Sequence, residues 1–226
     1  MLRGIHMTIT ALLLSDADIY NSTEIFRKYN ELIPSYRHER IISSKNIHSR
    51  AITIYAGLFM SYMVHSDTGI DITDITINPD TFGKPQLKNL TDYHFSISHS
   101  RNLIVFTGSK YPAGIDAEYI RSYNRKLALR FFSNEEYNHI EASVPHMQAY
   151  EFTRLWTMKE AYVKMTGIGL SMPVNSFCVI SGINGCHFEE HPINDCIITT
   201  CSAYDEYPAE ESKVVYINTA DILSNL

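Results

Sequence analysis

The apolar run from Thr8 to Leu14 reads as a buried strand. A polar, basic stretch, Arg37 to Lys45, precedes Ile47 to Val64, which has helical character. Thr73 to Asn78 alternates like a strand, and Asn78-Pro79-Asp80 breaks it. Phe82-Gly83-Lys84-Pro85 is a loop signal. Tyr93 to Ser98 and Leu103 to Gly108 are both strand-like, and a short turn over His99 to Asn102 would join them as a hairpin. Ala113 to Tyr119 forms one more short strand.

Helical spacing dominates between Arg125 and Thr166. Arg125 to Phe132 is one helix, and Ser133-Asn134-Glu135-Glu136 is a capping box that opens another. The longest helix runs from about Met147 to Thr166, with Gly167 where a left-handed cap is expected. Phe177 to Ile180, Ile197 to Ala203 and Lys213 to Ile217 read as strands. This order predicts an α+β fold made of two halves side by side, residues 1–112 and 113–226, with the seam near Tyr111-Pro112.

The length of 226 residues fits one large domain or two small ones. A net charge of -6 disfavours a general nucleic-acid binder, which would carry a basic surface. Cys178, Cys186, Cys196 and Cys201 lack the close pairs of a zinc site, so they read as reduced thiols in strands rather than as ligands joined by His187 and His191. The N-terminus shows no basic-then-apolar leader pattern. The apolar stretch from Ala51 to Val64 is too short to span a bilayer and is interrupted by tyrosine, serine and threonine. A soluble cytoplasmic protein without membrane contact is expected.

Candidate chemistry begins with Asp116 and Glu118 in Gly114-Ile115-Asp116-Ala117-Glu118. On a strand they share a face, about 7 Å apart. Glu160 and Lys164 share a helical face with Trp156. If that helix docks on the strand, three carboxylates converge, and such crowding is costly without a cation. Mg²⁺ suits oxygen ligands of this kind. The same spacings also serve a solvated strand face and an ordinary i,i+4 surface ion pair, and spacing alone does not separate the two.

Cationic groups cluster at Arg37, His38, Arg40, Lys45, His48 and Arg50, and arginine forks suit phosphate oxygens. A solvated helix start explains the same cluster. Lys84 sits on a stiff turn beside Pro85. His99, between Ser98 and Ser100, could grip a phosphate or be a plain turn residue. A Ser98–His99 nucleophile pair is disfavoured, because adjacent strand side chains point apart.

Five segments in order carry a stronger signal: Phe82-Gly83-Lys84-Pro85, Phe95 to Ser100, Gly114 to Glu118, Arg130 to Tyr137, and Leu155 to Lys164, continued by Gly167 to Ser171. Together they resemble the 4′-phosphopantetheinyl transferases of the surfactin-synthetase-activating type, from about Pro34 to Phe177. The resemblance implies two similar α+β halves with a ligand cleft between them that binds coenzyme A. It implies transfer of the phosphopantetheine arm to a serine of an apo acyl or peptidyl carrier protein, with release of adenosine 3′,5′-bisphosphate. By motif, Asp116, Glu118 and Glu160 would hold Mg²⁺, or Mn²⁺, on the diphosphate. Lys159 and Lys164 would face the phosphates. His99 with Ser98, Arg37, Arg40 and Arg50 would take the 3′-phosphate, and Lys84 and Pro85 would line the adenine side. Ser96 departs from the usual asparagine, and Arg101-Asn102 follows Ser100 where a small residue is common.

The implied mechanism makes Glu160 the base for the carrier serine, directly or through a metal-bound water, and Lys164 the group that stabilises or protonates the departing phosphate. Phe131 to Pro145, rich in aromatics and acids, is a candidate carrier-facing element that reads equally well as an ordinary surface helix and loop. A metal-dependent nuclease and a non-catalytic coenzyme A or carrier-binding protein are the rival readings. The first is opposed by the acidic balance and the second by the intact carboxylates and lysines. Two halves in one chain make a monomer the default.

Overall fold

The computed structural model describes residues 7–88, 90–203 and 212–226. The N-terminal residues read for a leader, 1–6, lie outside them. The fold is mixed α+β, as the element order predicted.

The first sheet is built from β1 (Thr8–Leu13), β4 (His94–Ser100), β5 (Leu103–Ser109) and β9 (Val214–Ile217), in the order β4-β5-β1-β9. β4 and β5 form the predicted antiparallel hairpin. Its turn is tighter than the sequence suggested: only Arg101 and Asn102 leave the ladder, Arg101 at a positive φ of 50°. His99 and Ser100 therefore belong to β4 and not to the turn. β9 pairs parallel with β1, so the end of the chain returns to the first sheet. A short helix, α7 (Thr219–Leu223), comes after it and buries Ile222 in the same core.

Helix α1 (Asp16–Tyr29) was not read from the sequence. Its start is fixed by Ser15 and Asp18, whose side chains each bond the other's backbone N–H. α2 (His38–Ser43) leads into α3 (Ile47–Thr68), which is capped by Asn46 and ended by Gly69 in the left-handed region. α3 is buried along most of its length, packing Tyr55 and Phe59 with Phe95 and Phe106 of the sheet. The apolar run inside it is thus core, and among the described residues no helix is long and apolar enough to cross a membrane. The strand predicted over 73–78 is shorter: a single helical turn at Ile72–Asp74 precedes β2 (Ile77–Pro79), which pairs with β3 (Pro85–Leu87).

The last sheet runs β6-β8-β7, from β6 (Ala113–Tyr119), β7 (Cys186–Ile193) and β8 (Cys196–Ala203). β6 forms over the predicted residues. The strand expected at Phe177 to Ile180 does not form, and the pairing partner for β8 comes instead from Cys186–Ile193. Ile115 and Ala117 of β6 face inward against Ile9, Ala11, Leu103 and Val105, which joins the two larger sheets through one apolar layer. α4 (Arg125–Phe131) and α5 (Asn134–Ala142) pack on α6 (Gln148–Thr166) around Phe132, Ile140, Phe152 and Leu155. The capping box at Ser133 and Glu136 and the left-handed Gly167 both occur where the sequence put them.

β6 lies directly on α6. A Cβ at Gly114 would stand 2.0 Å from the Ala161 carbonyl oxygen and 2.4 Å from the Met165 nitrogen. Only glycine permits that approach, and it brings the acidic face of β6 beside the second half of α6.

Candidate active site

A cavity of about 590 Å³ opens between β4, β6, α6, the start of α2 and the loop at 82–85. Of the residues singled out from the sequence, Arg37, Arg40, Lys84, Pro85, Ser98, His99, Asp116, Glu160 and Lys164 line it.

Three serines on alternate positions of β4 reach across to β6. Ser96 Oγ accepts the Ile115 N–H at 3.1 Å. Ser98 Oγ donates to Asp116 Oδ1 at 2.7 Å, and Ser100 Oγ donates to Glu118 Oε2 at 2.8 Å. β4 and β6 belong to different sheets, so side-chain hydroxyls join them where a backbone ladder does not. The period of two that puts Asp116 and Glu118 on one face also puts the serines opposite them.

Lys164 completes this arrangement. Its Nζ lies 2.7 Å from Asp116 Oδ1 and 2.8 Å from Ser98 Oγ, which leaves a third N–H for another acceptor. Asp116 Oδ2 is buried with no hydrogen-bond partner. The carboxyl of Glu160 is pushed above the usual carboxylate range, first by burial and then by the like charges of Asp116 and Glu118, with Lys164 and Arg121 opposing. Glu118 lies outside the cavity lining and is held by Ser100 and by Arg121 at 3.1 Å.

His99 is solvent-exposed at the cavity wall, opposite Ile104 in the ladder. The protein around it partly desolvates the ring, and Lys164, Arg37 and Arg40 add positive charge. Its pKa is pushed down to about 4. Arg37 donates from Nε to the Tyr36 hydroxyl at 3.2 Å, and Arg40 is exposed. Lys84 Nζ donates to the carbonyls of Met165 at 3.1 Å and Ala113 at 3.3 Å, fastening its loop to the end of α6 and the start of β6. Burial, opposed by Asp80, lowers its pKa to about 8.

Two expectations require correction. Lys159 does not face the cavity: it is fully buried, 2.8 Å from Glu136 Oε2, and bonds the carbonyls of Val174 at 2.7 Å and Phe177 at 2.6 Å. Consecutive residues on a helix point about 100° apart, so Lys159 faces the core while Glu160 faces the cavity. Arg50 stands one turn into α3 and does not line the cavity; its Nε is buried without a partner.

The implied cation can be tested against this donor set. Among the described residues no three His, Cys, Asp or Glu side chains come together as a metal cluster, and the expected convergence of three carboxylates is not formed. Asp116 and Glu160 nevertheless face one cavity, with an orphaned buried oxygen on one and a like-charge penalty on the other. Mg²⁺ commonly uses one or two carboxylates and completes its shell with water and phosphate oxygens. The pair fits such an ion, and Mn²⁺ has the same ligand preference.

Sequence reasoning missed Ser96 and Ser100, although their alternation with Ser98 is visible, and it missed Arg121. The Arg121 guanidinium pairs with Glu118 and lies 5.8 Å from the Trp156 ring centroid.

Residues 112–213 match the family model described as the 4′-phosphopantetheinyl transferase superfamily. The chain is 39% identical over 141 residues to a 4′-phosphopantetheinyl transferase of Bacillus subtilis, covering 62% of this chain and 63% of the relative. It is 29% identical over 177 residues to 4′-phosphopantetheinyl transferase Sfp of Bacillus subtilis strain 168, covering 73% and 79%. It is 28% identical over 184 residues to 4′-phosphopantetheinyl transferase psf-1 of Bacillus pumilus, covering 77% and 79%. The chain thus spans 63% of the first relative's length and 79% of the other two. The resemblance carried by the motifs is borne out: residues 112–213 match the 4′-phosphopantetheinyl transferase superfamily, and these relatives are transferases of that kind.

Proposed function

We propose that the chain transfers the 4′-phosphopantetheine arm of coenzyme A to a serine of an apo acyl or peptidyl carrier protein and releases adenosine 3′,5′-bisphosphate. The observation that carries this reading is Glu160, a carboxyl of raised pKa in a cavity it shares with Asp116 and Lys164. The cavity is also lined by residues from both proposed halves, 1–112 and 113–226, and these halves would form its two walls.

In the reaction the serine oxygen bonds to the pantetheine-side phosphorus, and the pyrophosphate P–O bond breaks. Glu160 accepts the serine proton. The free N–H of Lys164 stabilises the 5′-phosphate as it departs. Ser98 fixes Asp116 Oδ1 and leaves Oδ2 without a protein partner. Arg37, Arg40 and His99 form the cationic and hydrogen-bonding wall for the 3′-phosphate, and Lys84 and Pro85 form the adenine side. Asp116 and Glu160 would hold a divalent cation, which supplies charge neutralisation on the diphosphate.

The test is intact-mass analysis of an apo carrier incubated with the chain, coenzyme A and Mg²⁺. Wild type should add the phosphopantetheine increment. Glu160→Gln should lose about 10²–10⁴-fold in rate with its thermal unfolding unchanged. A full rate in that variant removes Glu160 from the chemistry, and no increment with any carrier overturns the activity.

A further inference from the structure

The two strand carboxylates are held alike but not equally. Asp116 receives Ser98 and Lys164 on one oxygen only, and its other oxygen is buried and orphaned. Glu118 has protein partners on both: Ser100 Oγ at 2.8 Å from Oε2 and Arg121 Nη2 at 3.1 Å from Oε1. Arg121 is itself fastened to α6. Its backbone N–H donates to Thr153 Oγ1 at 3.4 Å, and its guanidinium lies over Trp156, one turn before Glu160. A cation held by Asp116 and Glu160 would leave the Ser100 and Arg121 contacts of Glu118 in place. Recruiting Glu118 as well would set the cation against Arg121 on one carboxylate, where the two compete for its charge.

We propose that Arg121 is a positioning residue: an internal counter-ion that holds Glu118 out of the cation set and competes with a divalent cation for it. This rests on the reading that Asp116 and Glu160 hold such an ion. The guanidinium side chain is 46% exposed, so it can swing to solvent as Glu118 leaves it. The bound state then presents a free arginine beside the cavity. The same charge acts on Glu160, whose raised pKa it partly offsets.

The probe is Mn²⁺, titrated calorimetrically and by loss of the free-ion electron paramagnetic resonance signal, with the whole chain in the presence of coenzyme A. A partly exposed ion pair weighs little, so Arg121→Gln should tighten Mn²⁺ binding only about two- to fivefold. Arg101→Gln is the charge control. Arg101 stacks on Tyr119 and pairs with Asp195 at 3.8 Å, so its removal deletes a nearby charge without releasing Glu118. It should shift affinity less. In a Glu118→Gln background the effect of Arg121→Gln should vanish, since the two residues act through one contact. Equal shifts from the Arg121 and Arg101 variants, or a shift that persists without the Glu118 charge, overturn the proposal while the cation reading stands. Absence of Mn²⁺ binding by the wild type, or binding unchanged in Asp116→Asn, overturns the cation reading and this inference with it.

Discussion

Replacing Lys159 by methionine separates a lysine that binds substrate from one that holds the fold. Its ammonium has three N–H donors, and the structure gives it three acceptors: Glu136 Oε2 at 2.8 Å and the carbonyls of Val174 and Phe177. Both side chains of the ion pair are 0% exposed. Burial pushes the lysine pKa down, and the hydrogen bond and charge of Glu136 pull it back. Glu136 also accepts the Ser133 N–H that starts α5 and the Val179 N–H, so one knot ties α5, α6 and the 174–179 segment. Lys159→Met leaves a carboxylate buried without its cation and should cost about 3–5 kcal/mol, a large share of the ~5–15 kcal/mol typical of a domain. Adding Glu136→Gln removes the orphaned charge and should recover part of that loss. Urea unfolding of the two single variants and the double variant measures the coupling. At a temperature where the methionine variant remains folded, its KM for coenzyme A should match wild type. A stable variant with a sharply raised KM would refute the reasoning and return Lys159 to the phosphates.

Gly114→Ala forces a methyl group against backbone atoms that cannot rotate away; overpacking of that kind costs about 1–3 kcal/mol, and an unchanged urea midpoint would count against direct β6–α6 contact. His99 is neutral near about pH 6 because its pKa lies at about 4, and a bound phosphate dianion raises it, so binding of adenosine 3′,5′-bisphosphate should take up protons. Calorimetry in two buffers of different ionisation heat should show that uptake in wild type and less in His99→Gln; equal uptake removes His99 from the phosphate wall. Lys84 titrates at about 8 when folded against 10.5 for the free side chain, so between these values the unfolded chain binds more protons and stability rises with pH. Lys84→Met should flatten that rise in urea midpoints measured across the window, and an undiminished slope would assign it to another group.

Sequence patterns located β6 and α6 because each carries a strong local signal: alternation at Ala113 to Tyr119, and a long helical period closed by glycine. Those two elements hold Asp116, Glu160 and Lys164. α1 escaped because, of its residues, only Ser22 is fully buried, so its apolar stripe is weak; the Ser15–Asp18 box was the readable sign. Phe177 to Ile180 looked like a strand because burial of an apolar run is shared by strands and by packed loops, and these residues sit against α6 and α5. Lys159 was legible in principle. It falls on the stripe of Phe152 and Leu155, both buried, and not on that of Trp156 and Glu160. The Glu118–Arg121 pair and the orphaned oxygen of Asp116 were not legible, because they depend on how two sheets meet and not on the period of either.

The parallel pairing of β9 with β1 has a consequence for how the molecule is made. Ile9 finds its neighbour Val214 only after about two hundred further residues have been synthesised. At roughly 5–20 residues per second, the outer rim of β1 waits on the order of ten to forty seconds with its amides unpaired. An unpaired rim is a site where chains join one another. Slow translation, or a fragment ending before residue 214, should therefore favour aggregates seeded at the amino-terminal strand.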